Sequence, residues 1–167
     1  MLYDLIDKLN YSYKFEEAKA HCDIPCKIYD PIIAQIAVLT MIRTIDLINE
    51  LEEKDSLTTT DKAQFSRLVS QKEEHGIKVK EEVRVIWGDY FKEPQISAFP
   101  EIHDLTHKIM LGASKSKQNV DKKASLELLD NVNRFAEIFW KTKNVNTFKA
   151  SSPYPPSLEL VYPDLKG

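Results

Sequence analysis

Apolar residues recur at helical spacing through most of this chain, and no alternating strand pattern of useful length interrupts them. The first strong helix starts at Asp30-Pro31, an aspartate cap followed by a proline at the first helical position. It runs to about residue 53, with one stripe at Ile33, Ala37, Met41, Ile48 and Leu51 and a second face at Ile32, Ile36 and Leu39. A helix apolar around so much of its circumference is central in its fold or covered by another subunit. Residues 55–61 form a polar connector. A second helix over 60–88 places Phe65, Leu68, Val79, Val83 and Ile86 on one face, with Gly76 inside it for close packing or a bend. Glu93-Pro94 and Phe99-Pro100 bracket a loop. A third helix over 100–111 uses Ile102, Leu105 and Ile109, and 112–119 reads as a polar turn. The fourth, over 121–143, buries Leu126, Leu129, Val132, Ala136 and Phe139. The predicted class is all-α, an antiparallel up-and-down four-helix bundle over 30–143. Residues 144–167 form a proline-rich C-terminal arm. Its Tyr154, Leu158, Leu160, Val161 and Tyr162 favour packing onto a surface over a free tail.

Composition narrows this picture modestly. The 167 residues fit one domain with a real core, and the net charge of −3 supplies no basic footprint for nucleic acid. No apolar run reads as long enough to span a membrane, so no membrane partner is expected. The first twenty residues carry a short amphipathic pattern at Leu2, Leu5, Ile6 and Leu9, without the unbroken apolar run of a secretory signal. Both cysteines stand close together, which points to a reducing compartment, the cytoplasm, and to metal or redox chemistry rather than a disulfide framework.

Those cysteines lie in His21-Cys22-Asp23-Ile24-Pro25-Cys26-Lys27-Ile28-Tyr29, an N-terminal hook over 21–29. Thiolates are soft ligands, and thiolate with nitrogen in a plane suits nickel(II) or copper(II). Cys22 can bind through its sulfur and its own backbone nitrogen, Cys26 through its sulfur, and His21 through its imidazole. Pro25 fixes its own φ and biases Ile24 toward extended geometry, which helps turn Cys26 back toward Cys22. A free amine on His21 would complete a planar donor set, because an α-amine loses its proton in the same range as a thiol, whereas a mid-chain amide is a far poorer donor. The chain therefore reads as a precursor, with a pro-peptide over 1–20 removed by a protease that cuts between Ala20 and His21. From the cysteines alone, a thiol–disulfide switch, a zinc-binding pair and a non-enzymatic helical scaffold also stay open. His103 and His107, spaced i, i+4, read as surface residues.

The hook resembles that of the nickel-containing superoxide dismutases, and three further stretches resemble the same family in the same order: Trp87-Gly88-Asp89-Tyr90-Phe91-Lys92, Phe99-Pro100-Glu101-Ile102-His103 and Ile138-Phe139-Trp140-Lys141-Thr142-Lys143. The resemblance implies a four-helix-bundle subunit, a homohexamer, one nickel ion per subunit, and dismutation of superoxide to dioxygen and hydrogen peroxide by Ni(II)/Ni(III) cycling. It implies metal ligation by His21, Cys22 and Cys26, screening of the substrate pocket by Tyr29, and Tyr90 as its companion. Two departures stand out. Lys27 occupies a position that is often glycine in the family, where its charge is placed to attract superoxide. Ala37 and His75 occupy the positions of a glutamate and an arginine that hold the imidazole in other members.

Overall fold

The computed structural model describes residues 27–165. They form helices α1 (Ile32–Glu52), α2 (Thr59–Val85), α3 (Glu93–Ala98), α4 (Ile102–Gln118) and α5 (Lys122–Thr142), then strands β1 (Thr147–Ser151) and β2 (Glu159–Pro163). A π-helical turn, Ile86–Tyr90, continues α2 toward α3. The four long helices pack in a closed circuit: α1 on α2, α2 on α4, α4 on α5, and α5 on α1.

Local chemistry sets the helix ends. The Ile32 N–H donates to Asp30 Oδ1 at 2.9 Å, which starts α1 as the Asp-Pro pair predicts. At α2, the Thr58 side chain accepts from the Asp61 N–H while Asp61 accepts from the Thr58 N–H, a reciprocal capping box. The Ala124 N–H donates to Asp121 Oδ1 at 2.9 Å and opens α5. Its far end closes with Asn144 at φ 58, where the Asn144 N–H reaches the Lys141 carbonyl and the Val145 N–H reaches that of Trp140. That is a Schellman ending, with asparagine tolerating the left-handed backbone.

Ala34, Val38, Met41, Ile42, Ile45 and Ile48 of α1 are fully buried, as are Val79, Val83, Ile109, Val132, Phe135 and Phe139 from its neighbours. This corrects the expectation about membrane-length segments. Among the described residues one helix, α1, is long and apolar enough to cross a membrane, and its apolar faces form the fold's interior. Ile33 and Ile36 are the exceptions, at 40% and 43% exposed. Gly76 serves close packing: a Cβ there would stand 3.0 Å from Lys117 Cβ and 3.2 Å from Met41 Cε.

Three expectations change. Residues 112–118 are helix, not turn, because Ala113 and Ser116 are buried and the buried Lys72 ammonium donates to the Ser116 and Lys117 carbonyls at the helix end. Residues 93–98, read as loop, form α3, whose first turn contains Pro94. The all-α class is corrected to a mostly helical fold with an antiparallel hairpin, in which Lys149 pairs with Val161.

The hairpin occupies most of the C-terminal arm, and its buried Leu160 and Val161 explain why the arm packs. Buried amides fix its place. Asn133 Oδ1 accepts from Gln35 Nε2 at 2.8 Å and from the Val161 N–H at 3.3 Å. Asn133 Nδ2 donates to the Glu159 carbonyl at 3.0 Å, and Gln35 Nε2 donates to that of Val161 at 3.1 Å. The outer edge of β2 is thus paired with side chains from α5 and α1.

Candidate metal centre

His21, Cys22, Asp23, Pro25 and Cys26 lie outside the described residues. The described chain begins at Lys27, which is exposed and holds φ at 57°. Such a backbone is uncommon for a side chain other than glycine, asparagine or aspartate. Beside it lies an open cleft of about 420 Å³ lined by Lys27, Tyr29, Asp89, Tyr90, Lys92, Pro94 and Gln95.

The two candidate tyrosines meet at this cleft. Their ring centroids are 6.1 Å apart with planes tilted by 56°, and both residues are half-buried. Tyr29 sits immediately before the Asp30 cap of α1. Tyr90 is the last residue of the π-helical turn, an element often found at functional sites. Its ring packs on Phe91 at 5.3 Å and Phe139 at 5.0 Å. Its hydroxyl lies 2.6 Å from Thr142 Oγ1, which in turn donates to the Phe139 carbonyl at 2.6 Å. The threonine proton is committed to that carbonyl, so Tyr90 is the donor to Thr142. The Lys143 ammonium stands 4.5 Å from the centroid of the Tyr90 ring, a cation–π contact.

At the other end of the turn, Trp87 Nε1–H donates to His103 Nδ1 at 3.0 Å, so the neutral His103 carries its own proton on Nε2. The helix α4 thereby anchors one side of the turn while α5 anchors Tyr90. Lys92 Nζ donates to the Gly88 carbonyl at 2.8 Å and closes the loop over it. Thr142, Lys143 and Lys92 were not singled out by spacing. Each lies within a stretch that resembles the family, which was the available signal.

The departures have a physical outcome. Ala37 is buried in the core at 2% exposure, so no carboxylate issues from that position. His75 turns Nδ1 to the Gln71 carbonyl of its own helix at 2.8 Å; a carbonyl only accepts, so Nδ1 carries the proton. His103 and His107 are exposed, and the described residues contain no group of three or more histidine, cysteine, aspartate or glutamate side chains able to hold a metal ion. The described residues therefore offer no rival to the hook. Its thiolate and nitrogen donors suit nickel, and the tyrosine-lined cleft opens one residue beyond Cys26.

The family model for nickel-containing superoxide dismutase matches residues 16–143. A superoxide dismutase [Ni] of Streptomyces seoulensis is 31% identical over 128 residues, covering 76% of this chain and 91% of the relative. One from Streptomyces coelicolor is 33% identical over 125 residues, covering 74% and 88% respectively. A solved structure of native nickel superoxide dismutase aligns with a TM-score of 0.64 at 30% identity, covering 74% of this chain and 99% of that one. An apo structure aligns at 0.61 and 27% identity. The hairpin lies beyond the last matched residue of the family model.

Proposed function

We propose a working scheme from one premise: the chain belongs to the nickel-containing superoxide dismutase family. It is a nickel-dependent superoxide dismutase, an oxidoreductase acting on superoxide. In the scheme, His21 supplies amine and imidazole nitrogen, Cys22 sulfur and backbone nitrogen, and Cys26 sulfur, once the bond after Ala20 is cut. Nickel bound there supplies a one-electron Ni(II)/Ni(III) couple, so that two superoxide ions and two protons become one dioxygen and one hydrogen peroxide.

The chain's own residues do the rest. Asp23 and Pro25 shape the hook. Tyr29 and Tyr90 narrow the approach, admitting a diatomic anion and holding bulkier ligands away from thiolates that peroxide would oxidise. Tyr90 is a positioning residue, since its hydroxyl proton is committed to Thr142. The scaffold is an antiparallel up-and-down four-helix bundle, supported by the closed circuit of helix contacts. A homohexamer accounts for Ile28, Ile33 and Ile36 standing exposed at one end of α1. The proposed compartment is the cytoplasm, where both thiols stay reduced until metal binds.

The observation that carries this reading is the family match across residues 16–143 with the His21, Cys22 and Cys26 donors intact. The test compares superoxide dismutation per bound nickel for chains starting at Met1 and at His21. Activity only in the His21 form establishes the amine as a ligand and residues 1–20 as a pro-peptide. Equal activity removes the amine from the site. Inactivity of both, with nickel bound, overturns the scheme.

A further inference from the structure

Among the described residues three that are not glycine hold positive φ: Lys27, Asn144 and Ser157. Asn144 is accounted for by its helix-ending hydrogen bonds. Among the described residues no backbone hydrogen bond accounts for Lys27 in that way. A lysine Cβ crowds its own carbonyl in this region and glycine does not, so retaining lysine there costs stability. Strained residues of this kind cluster at functional sites.

The side chain belongs to the cleft. Lys27 and Lys92 line it with one carboxylate, Asp89. Asp30, the nearest other acid in sequence, has one oxygen engaged by the Ile32 N–H. The chain as a whole carries a net charge of −3, which repels an anion at long range. A locally cationic mouth on a net-negative protein is the arrangement that draws a small anion to one place.

We propose that Lys27 is a capture residue for superoxide, held in a strained backbone because its ammonium raises the encounter rate at the Tyr29–Tyr90 cleft. This deepens the function proposed above and rests on it. One unit charge about 7 Å from an anion in a water-like dielectric changes the local anion concentration about threefold. The gain disappears when the Debye length falls to about 3 Å near 1 M salt.

The test uses the nickel-loaded chain beginning at His21, with nickel content matched among wild type, Lys27→Gln, Lys27→Arg and Lys27→Gly. Superoxide decay is followed by pulse radiolysis across ionic strength. Lys27→Gln and Lys27→Gly should lose about threefold in kcat/KM near 0.01 M salt, converge on wild type near 1 M, and show a flatter salt dependence. Lys27→Arg should keep the wild-type slope.

A second readout is independent of activity. In the nickel-free protein Lys27→Gly should raise the melting temperature, and Lys27→Gln should leave it unchanged, because only glycine relieves the backbone. A loss in Lys27→Gln that is equal at all salt concentrations overturns the proposal, since it would show action through the hook's shape. So does an unchanged salt slope, or a Lys27→Gly variant melting below wild type. A wild-type chain that binds nickel and does nothing to superoxide overturns the underlying function instead.

Discussion

Replacing Asn133 by alanine should detach the hairpin without disturbing the cleft. Asn133 is 5% exposed and makes three hydrogen bonds, to Gln35, Val161 and Glu159. Two of those partners recover. Gln35 Nε2 keeps its bond to the Val161 carbonyl, and the exposed Glu159 can turn its carbonyl to water. The Val161 N–H cannot recover: it faces away from β1, in a residue only 1% exposed. An orphaned buried donor costs about 1–3 kcal/mol, and the space left by the amide adds to it, for a total of about 2–4 kcal/mol. At about 2–4 °C per kcal/mol for a chain of this size, melting should fall by about 5–15 °C. Hydrogen exchange provides the local readout, with amides of β1 and β2 losing protection while those of α1 and α5 keep most of theirs. A control at the exposed Asn49 should stay within about 0.5 kcal/mol of wild type. An Asn133→Ala protein as stable as that control, or one whose hairpin amides stay protected, would refute the claim that buried amides hold the hairpin.

Tyr90→Ala should open the cleft and shorten the enzyme's lifetime in hydrogen peroxide, whereas Tyr90→Phe should keep the wild-type lifetime, because the ring and not the hydroxyl does the screening; inactivation time courses separate them. Gly76→Val should destabilise by about 1–3 kcal/mol in urea unfolding, since its branches would press on Lys117 and Met41. Asp61 has its carboxyl lowered to about 2, first by the hydrogen bond from Lys54 and then by those from Thr58. A depressed acid pKa stabilises the fold above the unfolded value, near 4, and that contribution is lost as pH falls toward 2. Asp61→Asn should therefore flatten the pH dependence of stability between about pH 4 and 2, as read by unfolding at stepped pH.

How much of this was legible follows from how local each feature is. The hook is nine consecutive residues, so its chemistry could be argued from spacing. The caps at Asp30 and Asp121 are readable because the side chain serves a backbone donor two or three residues away. The end of α4 reads as a turn because Ser114, Lys115, Ser116 and Lys117 are all polar. What makes that stretch helical is Lys72, 44 residues earlier, donating to its last carbonyls. Gly112, the first residue of the expected turn, serves packing: a Cβ there would meet Leu128 Cδ1 at 3.3 Å. The hairpin depends on Gln35 and Val161, 126 residues apart, and on Asn133, whose amide looks like one more polar position on a helix. Its strands also lack the clean apolar alternation that sequence reading needs, with Phe148 outward at 51% exposure and stacked on Tyr162.

The same division separates what places the chemistry from what keeps the chain folded. Tyr29 is fixed by its neighbour's cap on α1, while Tyr90 is fixed by a widened turn tied to α4 through Trp87 and to α5 through Thr142. The cleft thus needs three helices in register and nothing from the hairpin, whose anchors Gln35 and Asn133 do not line it. Asn133→Ala should then lower stability while leaving the rate per bound nickel unchanged. Lys27→Gly should do the reverse, melting higher and reacting more slowly at low salt. Opposite signs at the two positions would place stability and capture in different parts of the molecule. If Asn133→Ala lowered the rate per bound nickel as well, the hairpin would have to be acting on the cleft through α1 or α5, and the separation argued from their packing would be wrong.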